Sequence, residues 1–349
     1  MLNGLFVGGL ALILAGIYAW AFKALPGERW QMICAIPIRK KDDGSWQGVN
    51  LTYYGLFNAL ALSAAVALVL VLTGAAGISK GVLAAMLAAL LGCCLPASRL
   101  IARWVEKKPH TFSVGAASFV GIVISPWLVT GMARVAGQWS AVRIDAMAVV
   151  AALMVGYALG EGIGRLACIS FGCCYGRPMA AMPPFLQRYF AWASFTYTGS
   201  TKKIAYAHQL EGQKIFAVQA VTAVLYTASA LVGSLLFLDG RYAWAYFLCL
   251  LATQGWRFLS EFLRADFRGN RRISAYQIMS LLTIPYGLTI PWLFPSGGNL
   301  PDLLGGLEGI YSPSMLLFLQ GLGIFMFFRT GRSEVTGAGL RFHVNRQRI

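Results

Sequence analysis

Long apolar runs separated by short polar breaks set the pattern of this chain. The runs Leu5 to Phe22, Leu51 to Leu72, Ile215 to Phe237, Tyr242 to Leu263, Tyr276 to Phe294 and Ile310 to Phe328 are typical. Each comes close to the roughly 20 residues that a helix needs to cross a hydrocarbon core about 30 Å thick. None shows the dyad alternation of a membrane β-barrel strand. Three more runs lie between Lys80 and Gly164: one ending in ASRLIARWVEKK, one opening at HTFSVGAASFVG, and one from Asp145 to about Gly164. The pattern therefore predicts an all-α, polytopic transmembrane helix bundle of about nine spans. The first run has no charged start and no small-residue cleavage site clearly placed after it, so it reads as a retained helix and not as a removed signal peptide.

Two polar stretches interrupt the pattern. Lys23 to Val49, with Arg39, Lys40, Lys41, Asp42 and Asp43, reads as an exposed loop with room for short structure of its own. Arg177 to Lys214 is the longest segment outside the spans and interleaves Phe185, Tyr189, Phe190, Trp192 and Tyr197 with basic residues. Ordered segments of this length more often bind or cover something than merely connect, which predicts a small extramembrane subdomain between spans five and six. The basic tail after Phe328 reads as mobile.

Composition agrees with the hydropathy. With 58% apolar and 12% charged residues, the 349-residue chain is excluded from the ordinary soluble classes. Its formal charge of +16, on a chain with no nucleic-acid-binding motif, points to anionic lipid headgroups as partners. The basic residues cluster on one membrane face, from Lys23 and Arg39 through Arg99, Arg103, Arg177 and Lys203 to Arg272, whereas Lys80, Arg134, Arg143 and Arg241 hold the other. By itself this bias places the first face in the cytoplasm. Seven cysteines without a repeated CxxC spacing support neither a disulfide framework nor a metal site, and no cofactor is implied.

The candidate chemistry lies at the basic end of the bundle. EGIGRLACISFGCCYGRP, Glu161 to Pro178, puts Arg165 near a span end, where an ionisable side chain is costly and marks a functional candidate. WRFLSEFLRADF supplies Arg257, Glu261 and Arg264 at i, i+4 and i+7, one face of a helix. Three guanidiniums and two carboxylates leave a net positive pocket suited to an anion, and the arginine fork matches a phosphate diester. Salt bridges that only lock helices together are the competing reading.

These segments resemble the prolipoprotein diacylglyceryl transferase family. GRLACISFGCCYGRP is similar to the family's glycine-arginine signature, YYG at Tyr53 to Gly55 to its first span, and SRLIARWVE to its second. WRFLSEFLRADF is similar to its RxxxEFxRxPD segment, and Gln277 to the glutamine opening its last span. The resemblance divides the chain into residues 1–50 (an extra helix and polar loop), 51–297 (the membrane domain, with 177–214 as its insert) and 298–349 (an extra helix and basic tail).

It implies transfer of the diacylglyceryl group of phosphatidylglycerol to a lipobox cysteine thiol in a secreted precursor. The site is then a bacterial cytoplasmic (inner) membrane, with the anionic phospholipid as donor and prolipoprotein signal peptides as acceptors. By resemblance Arg165 and Arg257 engage the lipid phosphate, Arg264 with Glu261 supports them, and Tyr54 lies in the headgroup region. Glu161, Cys168, Gly176 and Gln219 complete the substrate-binding set.

The departures concern the proton. Thr52 and Val114 stand where the family has histidines, and Cys168 stands where it has asparagine. His110, a few residues before the second of those places, is the substitute candidate, since histidine titrates near neutrality. The losses leave open the same donor with a different acceptor, or a lipid-binding or transport protein without catalysis. Lipoprotein modification takes place on the outer side of the membrane, so the charge bias and the resemblance disagree about sidedness.

Overall fold

The computed structural model describes residues 1–106, 114–139, 144–265, 273–297 and 300–349. The chain runs through α1 (Leu2–Ala24), a hairpin of β1 (Met32–Lys40) and β2 (Trp46–Thr52), then α2 (Tyr53–Ala75), α3 (Lys80–Glu106), α4 (Val114–Trp139) and α5 (Ala146–Phe171). A small insert comes next, with α6 (Pro184–Tyr189), β3 (Ser194–Thr196), α7 (Lys203–His208) and β4 (Lys214–Phe216). The chain then returns through α8 (Val218–Leu238), α9 (Tyr242–Leu250), α10 (Trp256–Ser260), α11 (Ala275–Leu293), α12 (Leu303–Ile310), α13 (Pro313–Gly331) and β5 (Arg332–Leu340).

The result is a polytopic helical bundle, as the apolar runs predict. Among the described residues, α1 to α5, α8 and α13 are long and apolar enough to cross a membrane. The other two expected spans are irregular. The seventh is split, α9 and α10 flanking a π turn at Leu251–Gly255, and α11 carries Pro285 and Pro291 within it.

α5 is the hub of the bundle. Of its span 72% is buried, against 6% for α13, which lies at the periphery. Small residues let the neighbours of α5 approach at backbone distance. A Cβ on Gly156 would stand 2.3 Å from Val69 Cγ2 of α2, and one on Gly162 would stand 2.4 Å from Thr227 Oγ1 of α8. Any side chain there separates the helices that carry the site. Asp145 caps the far end of α5 through Ala148 N at 3.0 Å.

The polar stretches are more ordered than the sequence suggests. Lys23 to Val49 contains most of a β-hairpin, and the tail expected to be mobile supplies β5, so a three-stranded antiparallel sheet β1-β2-β5 ties the two ends of the chain together. Apolar alternation does not announce β1 because Met32 to Ile38 is apolar at every position, with most of those side chains exposed in the strand. Pro37 is tolerated there because β1 is an edge strand, bulged beside the proline. The pairing of residues nearly three hundred positions apart has no local signal at all.

The expected subdomain between spans five and six is present, with β3 and β4 paired antiparallel. It is pinned to the bundle by Lys202. This fully buried side chain donates from Nζ to Ser170 O at 2.6 Å and to Leu25 O at 3.1 Å, joining the ends of α5 and α1. Burial pushes its amine down to about 8, with Glu28 opposing.

The unfolded chain holds that proton up to the ordinary lysine range, so it binds more protons than the folded chain between about pH 8 and 10.5. Stability from this residue therefore rises with pH through that window, by up to about 3 kcal/mol, and below it the full cost of the buried charge applies. Lys202→Met is expected to lose that rise, because no amine is left to titrate in the buried position. Thermal midpoints of both proteins at pH 7 and pH 10 test this, and parallel pH profiles would contradict it.

Candidate functional site

Glu161 and Arg165 are one turn apart on α5, and Tyr157 lies one turn before them, so the three share a helix face. Arg257 reaches this face from α10. Its Nη2 donates to Tyr157 Oη at 2.8 Å and to Glu161 Oε2 at 3.2 Å. Arg165 Nη2 donates to the same Oε2. The side chains are 12–17% exposed, so two guanidiniums converge on one carboxylate away from bulk water. This leaves a charge excess of +1. The Nε atoms of both arginines are buried without a protein partner, so each guanidinium keeps unspent donor capacity.

Local sequence explains how Arg257 gets there. The π turn before α10 adds a residue to the helix and rotates the face that α10 presents, and Tyr226 Oη donates to Thr253 O within the turn at 2.6 Å. Gly115, at the start of α4, supplies the space, since a Cβ there would stand 3.0 Å from Arg257 Nη1 and 2.8 Å from the Tyr276 ring. The amino end of α4, the favourable end of a helix for an anion, therefore borders the guanidinium.

Glu261 and Arg264 form a second pair at 3.8 Å, less than 10% exposed. The helical face predicted through Arg264 stops at Ser260. Glu261–Leu263 tightens into a 3-10 turn, and Arg264 is extended, bridged to Gly176 in antiparallel fashion. Arg177 N donates to Leu263 O at 2.9 Å and Ala265 N to Tyr175 O at 3.1 Å, so YGR and LRA are laced together. Gly176 also lies against β4: its N donates to Phe216 O at 3.2 Å, and a Cβ would stand 2.5 Å from that oxygen. Ser274 Oγ donates to Glu261 Oε2 at 3.3 Å, and Ser274 and Gln277 close a capping box at the start of α11.

The remaining candidates take different places. Tyr54 stacks edge-on against Phe171 at 5.6 Å, beside the end of α5. Gln219, 1% exposed, donates from Nε2 to Cys173 O at 2.8 Å and to Tyr197 Oη at 3.1 Å. Cys168 lies on the last turn of α5, with Cys173 and Cys174 in the turn after it. His110 lies outside the described residues, and His208 is bonded through Nδ1 to the Tyr175 hydroxyl.

A cavity of about 410 Å³ meets the arginine cluster. Its wall is almost wholly apolar, with Leu62, Leu90, Ile122 and Met154 among its residues, and Tyr157 and Glu161 belong to it as well. The polar end of this cavity is therefore Tyr157 and Glu161, the two groups to which Arg257 donates. Tyr157 and Gly115 line the site without belonging to any motif legible in the sequence. The i−4 spacing of Tyr157 from Glu161 is the signal that could have found the first, whereas the small-residue opening HTFSVGAASFVG marks Gly115 for close contact but not for the guanidinium it admits.

A family model described as prolipoprotein diacylglyceryl transferase matches residues 45–293, which span all the residues of the arginine cluster and the cavity wall. No curated protein matches the chain.

Proposed function

Since this chain belongs to the prolipoprotein diacylglyceryl transferase family, we propose that it transfers the diacylglyceryl group of phosphatidylglycerol to the thiol of a lipobox cysteine. The observation that carries this reading is the apolar cavity ending on Glu161 and Tyr157, against the Arg165 and Arg257 pair. The acyl chains occupy the cavity and the phosphodiester lies on the guanidiniums. In the reaction the thiol sulfur bonds to the glyceryl carbon, the carbon–oxygen bond to phosphate breaks, and glycerol phosphate leaves with the electron pair. The thiol proton passes to solvent or to the departing phosphate. Arg165 and Arg257 stabilise the charge that builds on the leaving group, in a site where water does not dilute the effect. Glu161 keeps the two cations together.

A second reading keeps the donor and changes the acceptor. It rests on Thr52, which stands at a family histidine position and is committed to structure. Its Oγ1 accepts from Gly55 N as the cap of α2 and donates to Gly331 O at 2.9 Å. Purified protein given labelled phosphatidylglycerol and a lipobox peptide separates the two. Label on the peptide supports thiol transfer, whereas lipid turnover without labelled peptide overturns it and favours another acceptor. An alkaline phosphatase reporter fused after Lys203 is expected to be active, and a cytoplasmic signal there would exclude exported precursors as substrates.

The cavity has its own test. Gly121 lies in its wall, and a Cβ there meets only Cys94 Sγ, at an ordinary 3.6 Å. Gly121→Phe is expected to fold and to raise KM for the lipid about tenfold, the equivalent of ~1.4 kcal/mol of lost binding. An unchanged KM would remove the acyl chains from this cavity.

A further inference from the structure

The turn that ends α5 gathers three thiols. Gly172 takes the left-handed conformation at φ 69°, and Cys173 N donates back to Cys168 O at 3.0 Å, so the chain folds over the last turn of the helix. Cys174 comes next at φ 56°, a conformation that costs a residue with a Cβ about 1 kcal/mol and that is retained where surrounding structure fixes it. The Sγ atoms of Cys168, Cys173 and Cys174 all lie within 4.8 Å of one another. A zinc ion at about 2.3 Å from each sulfur requires S···S separations near 3.8 Å, so rotamer adjustments of about an ångström or less convert the cluster to a ligand set. Cys173 is buried and the other two are half-buried, leaving a way in.

We propose that Cys168, Cys173 and Cys174 form a binding site for a thiophilic d10 metal ion of the zinc class. Binding exchanges three S–H bonds for three S–Zn bonds and releases three protons to solvent, so a Zn²⁺ centre carries a net charge of −1. Arg165, one turn before Cys168 on α5, belongs to the neighbouring group whose two guanidiniums and one carboxylate sum to +1. The charge of the metal centre is thus compensated within the protein. The fourth position is available to water or to the amide oxygen of Gln219. That oxygen is buried without a protein hydrogen bond, and the same side chain grips the carbonyl of Cys173.

Full-length protein in nanodiscs, titrated with Cd²⁺, tests the site. The expected result is one ion per chain, with ultraviolet thiolate-to-metal charge-transfer absorption that Zn²⁺ competes away. Mass spectrometry after alkylation is expected to find Cys168, Cys173 and Cys174 protected by Cd²⁺, while Cys34, exposed on β1, reacts as before. The C168S/C174S protein is expected to lose the absorption. Unchanged alkylation of the three thiols, or full absorption in C168S/C174S, overturns the proposal. Should that variant fail to fold, the protection pattern of the unaltered protein still decides.

Discussion

Arg257→Gln is expected to lower lipid turnover by ~10²–10³-fold, the usual effect of removing one donor aimed at developing charge, while folded yield stays at the level of the unaltered protein. The electrostatics of the cluster explain why activity and folding separate here. Arg165 and Glu161 remain paired on α5 after the substitution, so no uncompensated charge is left buried. Glutamine also keeps an N–H that can donate to Tyr157 Oη, the partner Arg257 now holds at 2.8 Å. The lost feature is the second guanidinium and with it the +1 excess on which the proposed phosphodiester site rests. Turnover of labelled phosphatidylglycerol and the monodisperse yield of purified protein are the two measurements. A parallel loss of both assigns Arg257 to locking α10 onto α5, and unchanged turnover removes it from the reaction.

Removing the carboxylate has the opposite consequence. In Glu161→Gln, Arg165 and Arg257 face each other as like charges that are 17% and 12% exposed, with no counterion between them. Breaking a buried pair from one side costs about 3–5 kcal/mol, because the remaining charge stays desolvated. The expected result is a thermal midpoint lowered by several degrees in a zwitterionic detergent. Phosphatidylglycerol supplies the missing negative charge and is expected to restore more of that loss than phosphatidylcholine does. Equal midpoints for Glu161→Gln and the unaltered protein would mean that Glu161 does not hold the guanidiniums together. Equal rescue by the two lipids would mean that the site has no preference for an anionic headgroup.

Arg165 and Arg257 could be singled out in the sequence because an arginine at the end of an apolar run is expensive wherever it lies. The partner of Arg257 could not be deduced the same way. Helical spacing only puts Glu261 on the same face, four residues on, whereas in the folded chain Arg257 reaches Glu161 on another helix. Intrahelical spacing describes an ideal helix, and this one carries a π turn before Arg257 and tightens after Ser260. Lys202 is a similar case. Its sequence neighbours mark it as one more exposed base of the polar insert, and its burial comes from two carbonyls that only the packed ends of α1 and α5 bring together.

The class of this protein is legible in its chain, because a helix in hydrocarbon must satisfy its own backbone within about 20 apolar residues and so leaves a run of that length. Equally legible is that the end of the bundle bearing EGIGRLACISFGCCYGRP carries the costly cations. Other features emerge only on packing: which charges meet, that the apolar cavity ends on Glu161, that Thr52 is consumed as a cap, and that the two ends of the chain form one sheet. Those are contacts between segments far apart in the chain. Local spacing carries no record of them, because they depend on helix approach distances that residues such as Gly115, Gly156 and Gly162 permit.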